Sequence, residues 1–268
     1  MNWRSAGIVI GILVVLCATL ALSVVYPFST SEPHSESPPE QQFSFEETDE
    51  YRISGSVMVD DQTQFGVDGV MTSDGERYAV IDHERSLVEE YQSGPDEDTY
   101  GRMTFEDEAY ADRWIEAEEE NDDREVLQIE REGDETAVIF IEKSTDRTEN
   151  TLANEAEVVI GSLSAITYEQ THQTDVNATY EPQDAWIEQT DRRITDTAGD
   201  VKVDTETRAV KSADVSWEQT RLPRLTFLNY LLTTVAGDES TTIEVTYEFE
   251  TDDVDLEPPD WLTDVQSR

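Results

Sequence analysis

Residues 51–71 read YRISGSVMVDDQTQFGVDGVM, and their pattern is the clearest indication of the fold class. Its apolar residues recur at every second position, which is the period of a strand with one buried face. The alternation is interrupted at Asp60-Asp61-Gln62, and residues of this type favour turns. The stretch therefore predicts an antiparallel hairpin and a mainly β fold.

Similar alternating runs, separated by turn clusters such as SDGE, SGPDED and REGDE, fill much of the remaining chain. Residues 225–235 fit a strand, which we prefer, or a helix, because Pro223 and Gly237 flank them. A meandering antiparallel sheet is expected. The further strands are predicted at residues 77–81, 87–91, 100–105, 124–129, 136–141, 174–180, 184–189, 201–205, 210–217 and 241–249.

Two segments have the apolar spacing of helices instead. Residues 110–120 place Tyr110 and Trp114 on one face, and residues 151–163 form a longer apolar stripe. The second stripe predicts a helix that covers the sheet. The expected fold class is thus mainly β with one or two helices (α+β), plus one N-terminal transmembrane helix.

The membrane helix is predicted at residues 6–25, AGIVIGILVVLCATLALSVV, an apolar run of 20 residues. As a helix this run spans about 30 Å, the thickness of the hydrocarbon core. Arg4 precedes it and no Lys or Arg follows until Arg52, so the positive-inside rule places residues 1–5 in the cytoplasm. The rest of the chain is expected on the outer face of the cell membrane.

A cleaved signal peptide is the main alternative, because Ala21-Leu22-Ser23 resembles a cleavage site. The apolar run is longer than the usual signal peptide core, which favours an uncleaved anchor. Cys17 is preceded by Val15 and Leu16 and does not fit a lipidation site. Gly7 and Gly11 form a GxxxG pair through which two anchor helices could pack.

Residues 26–44 are rich in Ser, Pro and Glu and are predicted to be an extended linker. Residues 45–265 then form the extracytoplasmic domain. The chain has 18 Lys and Arg against 62 Asp and Glu, for a net charge of −44. Because 37% of its residues are hydrophobic, it can form a core, and the acidity indicates a salt-adapted organism rather than disorder.

The composition also excludes several classes of function. Scattered positive charge excludes a standard nucleic-acid interface. Cys17 is the lone cysteine, and His83 and His172 are far apart, so no catalytic, cofactor or metal site is predicted. The acidic runs at residues 96–98 and 252–255 lack EF-hand spacing. Asn177 begins the single glycosylation sequon, Asn-Ala-Thr.

Residues 241–251, TTIEVTYEFET, are followed by DDVD and then by EPPDWL at residues 257–262. This ending resembles that of haloarchaeal envelope proteins related to periplasmic lipoprotein carriers, which have the LolA-like fold. The resemblance covers roughly residues 45–265. It implies a strongly curved antiparallel sheet or half-barrel around one or two helices, with an apolar concave face that binds lipid. The lipidated cysteine common in that group is missing.

Within that ending, Pro258 and Pro259 cannot extend a sheet, so we expect them to end the last strand as a stiff tail. Trp261 is then expected to fold back onto the outermost strand or onto the helix at residues 151–163. The leading hypothesis for function is a non-catalytic envelope protein that binds an apolar ligand or a partner protein. The alternatives are an accessory subunit of an envelope complex and a hydrolase with an unrecognised site.

Overall fold

The computed structural model describes residues 43–46, 48–118, 121, 123–133, 135–143, 151–187, 192–221, 240–251 and 254–266. The anchor with Gly7 and Gly11, most of the linker and the segment 225–235 lie outside these ranges. Within them, no helix is long and apolar enough to cross a membrane.

The described ranges fold into strands and three short helices. The helices are α1 (Glu108–Glu118), α2 (Thr151–Leu163) and α3 (Asp260–Gln266). The strands are β1 (Tyr51–Val59), β2 (Gln62–Met71), β3 (Arg77–His83), β4 (Ser86–Gln92), β5 (Thr99–Phe105), β6 (Arg124–Glu132), β7 (Glu135–Glu142), β8 (Thr167–Gln173), β9 (Asn177–Gln183), β10 (Ala185–Ile187), β11 (Arg192–Asp204), β12 (Val210–Arg221) and β13 (Thr241–Glu250).

The strands form one curved antiparallel sheet in the order β6-β7-β5-β4-β3-β2-β1-β13-β12-β11-β9-β8, with β10 beside β11. The prediction of a mainly β fold with a large antiparallel sheet is confirmed. The expected simple meander holds from β1 to β5. It fails at β13, which pairs with both β1 and β12 and so joins the two halves of the chain.

The first hairpin shows how the sequence sets this architecture. Tyr51 and Ile53 are fully buried, whereas Arg52 between them is exposed, as the alternation predicts. Asp60 and Asp61 have φ angles of 50° and 61°. A two-residue turn with positive φ at both positions matches the twist of the flanking strands, and Asp tolerates this conformation.

The main core lies between α2 and the face of the sheet that curves around it. Leu152, Val159 and Leu163 of α2 are fully buried. A Cβ atom on Gly69 of β2 would lie 2.4 Å from Leu152 Cδ1. The absence of a side chain at Gly69 thus allows α2 to approach β2 closely. The concave face over β13, β1 and β2 is therefore filled by the chain's own helix.

Helix α1 covers a second, smaller core on the same face of the sheet. Phe105 and Val138 of the sheet and Ala111 of α1 are buried there. The register pairs Val88 with Met103 and Met103 with Val138, so these residues share the face that α2 also covers. The two helices consequently lie side by side on the concave face, over different strands.

Two predictions of local structure were incomplete. The strand expected at residues 174–180 is present as β9 but begins only at Asn177, because the Thr174 hydroxyl accepts the N–H of Asn177 at 2.9 Å and stabilises a turn at residues 174–176. The strand before this turn, β8, was not predicted. Pro258 and Pro259 lie outside any strand, as expected, but a short helix that was not expected, α3, follows them directly. The Pro259 carbonyl accepts the Leu262 N–H at 3.0 Å, so the proline precedes the first helical turn, where it is well tolerated.

Candidate functional site

The residues that follow the predicted linker dock against the sheet, and we call Phe43–Glu46 the strap. Ser44 forms a parallel bridge with Ala209. The Phe43 ring lies 5.1 Å from that of Tyr168, edge to face. The Phe45 ring lies 5.3 Å from that of Tyr51 in the same way. Phe43 and Ser44 were assigned to the linker, yet both contact the domain.

The strap also uses one of the three lysines of the chain. Lys211 Nζ lies 2.6 Å from Glu46 Oε2 and 4.8 Å from the centre of the Phe249 ring. Phe43 and Phe45 pack against the main core, although both are only partly buried. The strap therefore covers part of the concave core that α2 leaves open.

The C-terminal segment, residues 254–266, runs along the opposite, convex face. Trp261 Nε1 donates to Glu89 Oε1 at 3.2 Å, and the Tyr78 hydroxyl donates to the same oxygen at 2.8 Å. Arg102 Nη1 lies 3.4 Å from Glu89 Oε2. Burial, followed by the bond to Glu89, raises the pKa of Tyr78 above its ordinary value. The indole thus contacts β4, an interior strand, and not the outermost strand or α2.

Substitution of Leu262 by Ala tests whether this segment contributes to stability. Leu262 is only 2% exposed, whereas its neighbour Thr263 is exposed. Removing a buried leucine side chain costs about 2–5 kcal/mol. We expect Leu262→Ala to lower the melting temperature in molar salt by several degrees, and Thr263→Ala to leave it within about a degree. Equal melting temperatures for the two variants would mean that the segment is not docked.

A row of buried polar residues crosses the concave face at one end of the strands. Arg77, Gln92 and Thr99 are 7%, 2% and 4% exposed. Arg77 pairs with Gln92 across β3 and β4. Arg77 Nη2 donates to Thr99 Oγ1 of β5 at 3.5 Å, so the guanidinium reaches across β4. Burial lowers the pKa of Arg77 below its ordinary value.

Arg124 continues this row towards α1. Its Nη1 lies 3.1 Å from Glu118 Oε1, and its Nε donates to Glu142 Oε2 at 3.1 Å. The guanidinium carbon lies 4.7 Å from the centre of the Phe140 ring. Arg124 therefore links α1 to β6 and β7 through two carboxylates and an aromatic ring. These partners together compensate the charge of the partly buried guanidinium.

Glu90, on β4, interacts electrostatically with both of these arginines and with α2. Burial is the main cause that raises the pKa of Glu90 above its ordinary value. Arg77 and Arg124 lower that pKa, whereas Glu142 and Glu155 raise it, so all four charges act at this site. Glu155 belongs to α2, and burial raises its pKa as well. We call Arg77, Glu90, Arg124, Glu142 and Glu155 the interhelical charge cluster.

The cluster brings together opposite charges in a partly desolvated part of the concave face. A partly buried carboxyl group with a raised pKa is typical of functional sites, and structural networks show the same feature. In the ranges given above, no group of three or more His, Cys, Asp and Glu could hold a metal ion. The chemistry that the cluster offers is charge recognition.

Of the residues singled out in the sequence, His83 lies near the cluster, because its charge lowers the pKa of Glu155, whereas His172 and Asn177 lie on other strands. His83 ends β3 and its ring lies 5.5 Å from that of Phe65. His172 lies on β8, and six strands separate it from β3 in the sheet. Both histidines are exposed. Asn177 is exposed where β9 begins, and its glycosylation stays a prediction.

Comparison of the chain with protein-family models, with curated proteins and with solved structures finds no match. The interhelical charge cluster was not predicted from the sequence. One signal for it was present, because the alternation in β3 places Arg77 on the same face as Ala79 and Ile81, both of which are buried. A charged residue in phase with apolar ones indicates a buried charge that needs a partner.

Proposed function

We propose that this chain is a single-pass, membrane-anchored binding protein of the envelope of a salt-adapted organism, with its outer domain acting without catalysis. We further propose that this domain binds a polar ligand or a partner protein and does not carry a lipid. The observation that carries the proposal is the filled concave face: α2 lies directly on β2 at Gly69, and Leu152 and Val159 are fully buried there.

The LolA-like resemblance remains part of this proposal at the level of architecture. It is supported by the curved antiparallel sheet with α2 on its concave face. Lipid carriage, which the resemblance also implies, would require an open apolar face. Because the strap and α2 both cover that face, the geometry favours a relative of the fold that has a different ligand.

Lipid analysis tests the proposal. The full chain would be purified from membranes in molar salt, washed extensively in detergent, and measured by native mass spectrometry and by solvent extraction. We expect no lipid bound at one mole per mole of protein. A stoichiometric lipid that withstands washing would overturn the proposal and favour the carrier hypothesis.

The second candidate is an accessory subunit of an envelope complex. It is supported by β6, which ends the strand order and carries two apolar side chains, Leu127 and Ile129, that are 40% and 43% exposed. A stoichiometric protein that copurifies in molar salt would favour this candidate. The hydrolase hypothesis gains no support, because His83 and His172 lie far apart in the sheet.

A further inference from the structure

The hairpin of β8 and β9 presents an asparagine side chain that the fold leaves free. The turn between the strands, residues 174–176, is held by several hydrogen bonds. The Thr174 N–H donates to the Asn177 carbonyl at 2.7 Å, and the Asn177 N–H donates to the Thr174 hydroxyl at 2.9 Å. Thr205, from the neighbouring turn, donates its N–H to the Val176 carbonyl at 3.1 Å. These bonds fix the backbone of the turn, and the side chain of Asn177 is exposed beside it.

The Asn177 amide forms no hydrogen bond to any residue that the structure describes. Asp204 lies opposite it in the register of β9 and β11. The Asp204 carboxylate instead accepts the N–H groups of Glu206 and Thr207, at 2.8 and 2.9 Å. The acceptor opposite Asn177 is thus engaged in its own turn, and the amide nitrogen of Asn177 stays available for reaction.

The sequon Asn177-Ala178-Thr179 also has its hydroxyl in an accessible place. Ala178 is 3% exposed and belongs to the main core, so Asn177 and Thr179 lie on the opposite, convex face of β9. Thr179 pairs with Lys202 of β11, which is exposed. Within the described ranges the Thr179 hydroxyl forms no hydrogen bond. The two side chains that the sequon requires therefore lie side by side on a polar surface.

The order of the strands along the chain makes the sequon accessible during synthesis as well. In the folded sheet, β9 lies between β8 and β11. Because β11 follows β9 in the chain, Asn177 is made before the strand that pairs with the second edge of β9. A membrane-bound transferase that acts on the emerging chain therefore meets a sequon that is not yet enclosed. Since Asn177 is exposed in the folded domain, the core does not have to accommodate the modification.

We propose that Asn177 is an N-glycosylation site, and that its substrate is a glycan carried on a lipid phosphate at the outer face of the membrane. This inference rests on the proposed outer location of the domain. The side-chain nitrogen of Asn177 bonds to the anomeric carbon of the first sugar, and the bond from that carbon to the phosphate oxygen breaks. The lipid phosphate leaves with the electron pair, and the amide nitrogen loses one proton to a base of the transferase.

A glycan at this position shields two features that favour association between chains. Val176, next to Asn177, is 62% exposed, the largest fraction among the large apolar residues that the structure describes. β8 ends the strand order, so one of its edges has no partner strand in the described part of the chain. An exposed apolar side chain beside an open edge promotes self-association. A bulky, hydrated glycan on Asn177 opposes it.

Intact mass measurement tests the inference on the full chain, expressed in a salt-adapted host whose surface proteins carry N-linked glycans. A strain of that host without its transferase supplies the unmodified reference. We expect the parent protein from the first strain to be heavier by one glycan, and peptide sequencing to place the added mass on Asn177. Asn177→Gln and Thr179→Ala should match the reference mass, whereas Thr179→Ser, which keeps the hydroxyl, should retain the glycan.

Two further measurements separate the loss of the glycan from a loss of the fold. In molar salt the three variants, made in the strain without transferase, should melt within about a degree of the unmodified parent protein, since both side chains lack hydrogen bonds. In sedimentation, the unmodified parent protein should self-associate about 10-fold more strongly than the glycosylated one, and Val176→Ser should reduce this difference. Equal self-association of the two forms would overturn the shielding role.

A parent protein of equal mass in the two strains would overturn the inference, as would a glycan that persists in Asn177→Gln. Protease digestion of intact cells distinguishes this failure from that of the proposed function. If the domain is digested on intact cells, it lies on the outer face, and an unmodified Asn177 there overturns the glycosylation alone. A domain that is digested only after lysis would overturn the proposed outer location as well.

Discussion

Transfer from molar potassium chloride to about 0.1 M salt is expected to unfold the β-rich domain. The chain carries a net charge of −44, and few of its carboxylates have a cationic partner because it contains only 18 Lys and Arg. The Debye length grows from about 3 Å at 1 M salt to about 10 Å at 0.1 M, so surface carboxylates begin to repel each other across the fold. Loss of the β signal in far-ultraviolet circular dichroism on dialysis would show this unfolding.

Two controls separate charge screening from other effects of salt. Sucrose at matched osmolarity leaves the Debye length unchanged and should not preserve the fold. Readdition of potassium chloride should restore the spectrum if the unfolding is reversible. A spectrum that stays the same throughout desalting would mean that charge repulsion does not limit stability, and the proposal of salt adaptation would lose its main physical basis.

The second large effect is expected from Gly69→Val. A Cβ atom at Gly69 would lie 2.4 Å from Leu152 Cδ1 and 2.9 Å from the Tyr78 carbonyl oxygen, so both α2 and β3 would have to shift. Overfilling a core costs about 1–3 kcal/mol and more where backbone must move. For a domain of this size we expect the melting temperature in molar salt to fall by roughly 5–10 °C.

Gly161→Ala provides the matched control on α2 itself. Gly161 is exposed, and a Cβ atom there would meet nothing within 4 Å. Alanine within a helix is more favourable than glycine by about 0.5–1 kcal/mol, so this variant should melt slightly higher than the parent protein. If Gly69→Val melted as high as the parent protein, α2 would not lie against β2 as described.

Local patterning predicted most of the strands and both longer helices. The alternation in residues 51–71 and the apolar stripe of α2 each show which side of the element is buried. This can be read from the sequence of one strand or helix alone. The position of β13 could not be predicted in this way. The alternation in β13 predicts that Val245 and Tyr247 are core residues of an antiparallel sheet. The sequence of β13 does not specify that the neighbouring strands are β1 and β12.

The candidate site was harder to predict than the fold for a related reason. Arg77, Glu90 and Arg124 come from three strands, and only the register brings them together with Glu155 of α2. In a chain with 62 acidic residues, no spacing of carboxylates is informative by itself. The one usable signal was that Arg77 lies on the same face of β3 as the apolar residues. This signal indicates that Arg77 is buried but does not identify its partner.

The position of β13 has a consequence for the order in which the domain can form during synthesis. Ser56 of β1 bonds to Thr246 of β13, 190 residues later in the chain. While the ribosome is still making that interval, β1 presents an unpaired edge and an uncovered apolar face, which are features that promote aggregation. A nascent chain must therefore be protected, by a chaperone or by rapid synthesis, until β13 has been made.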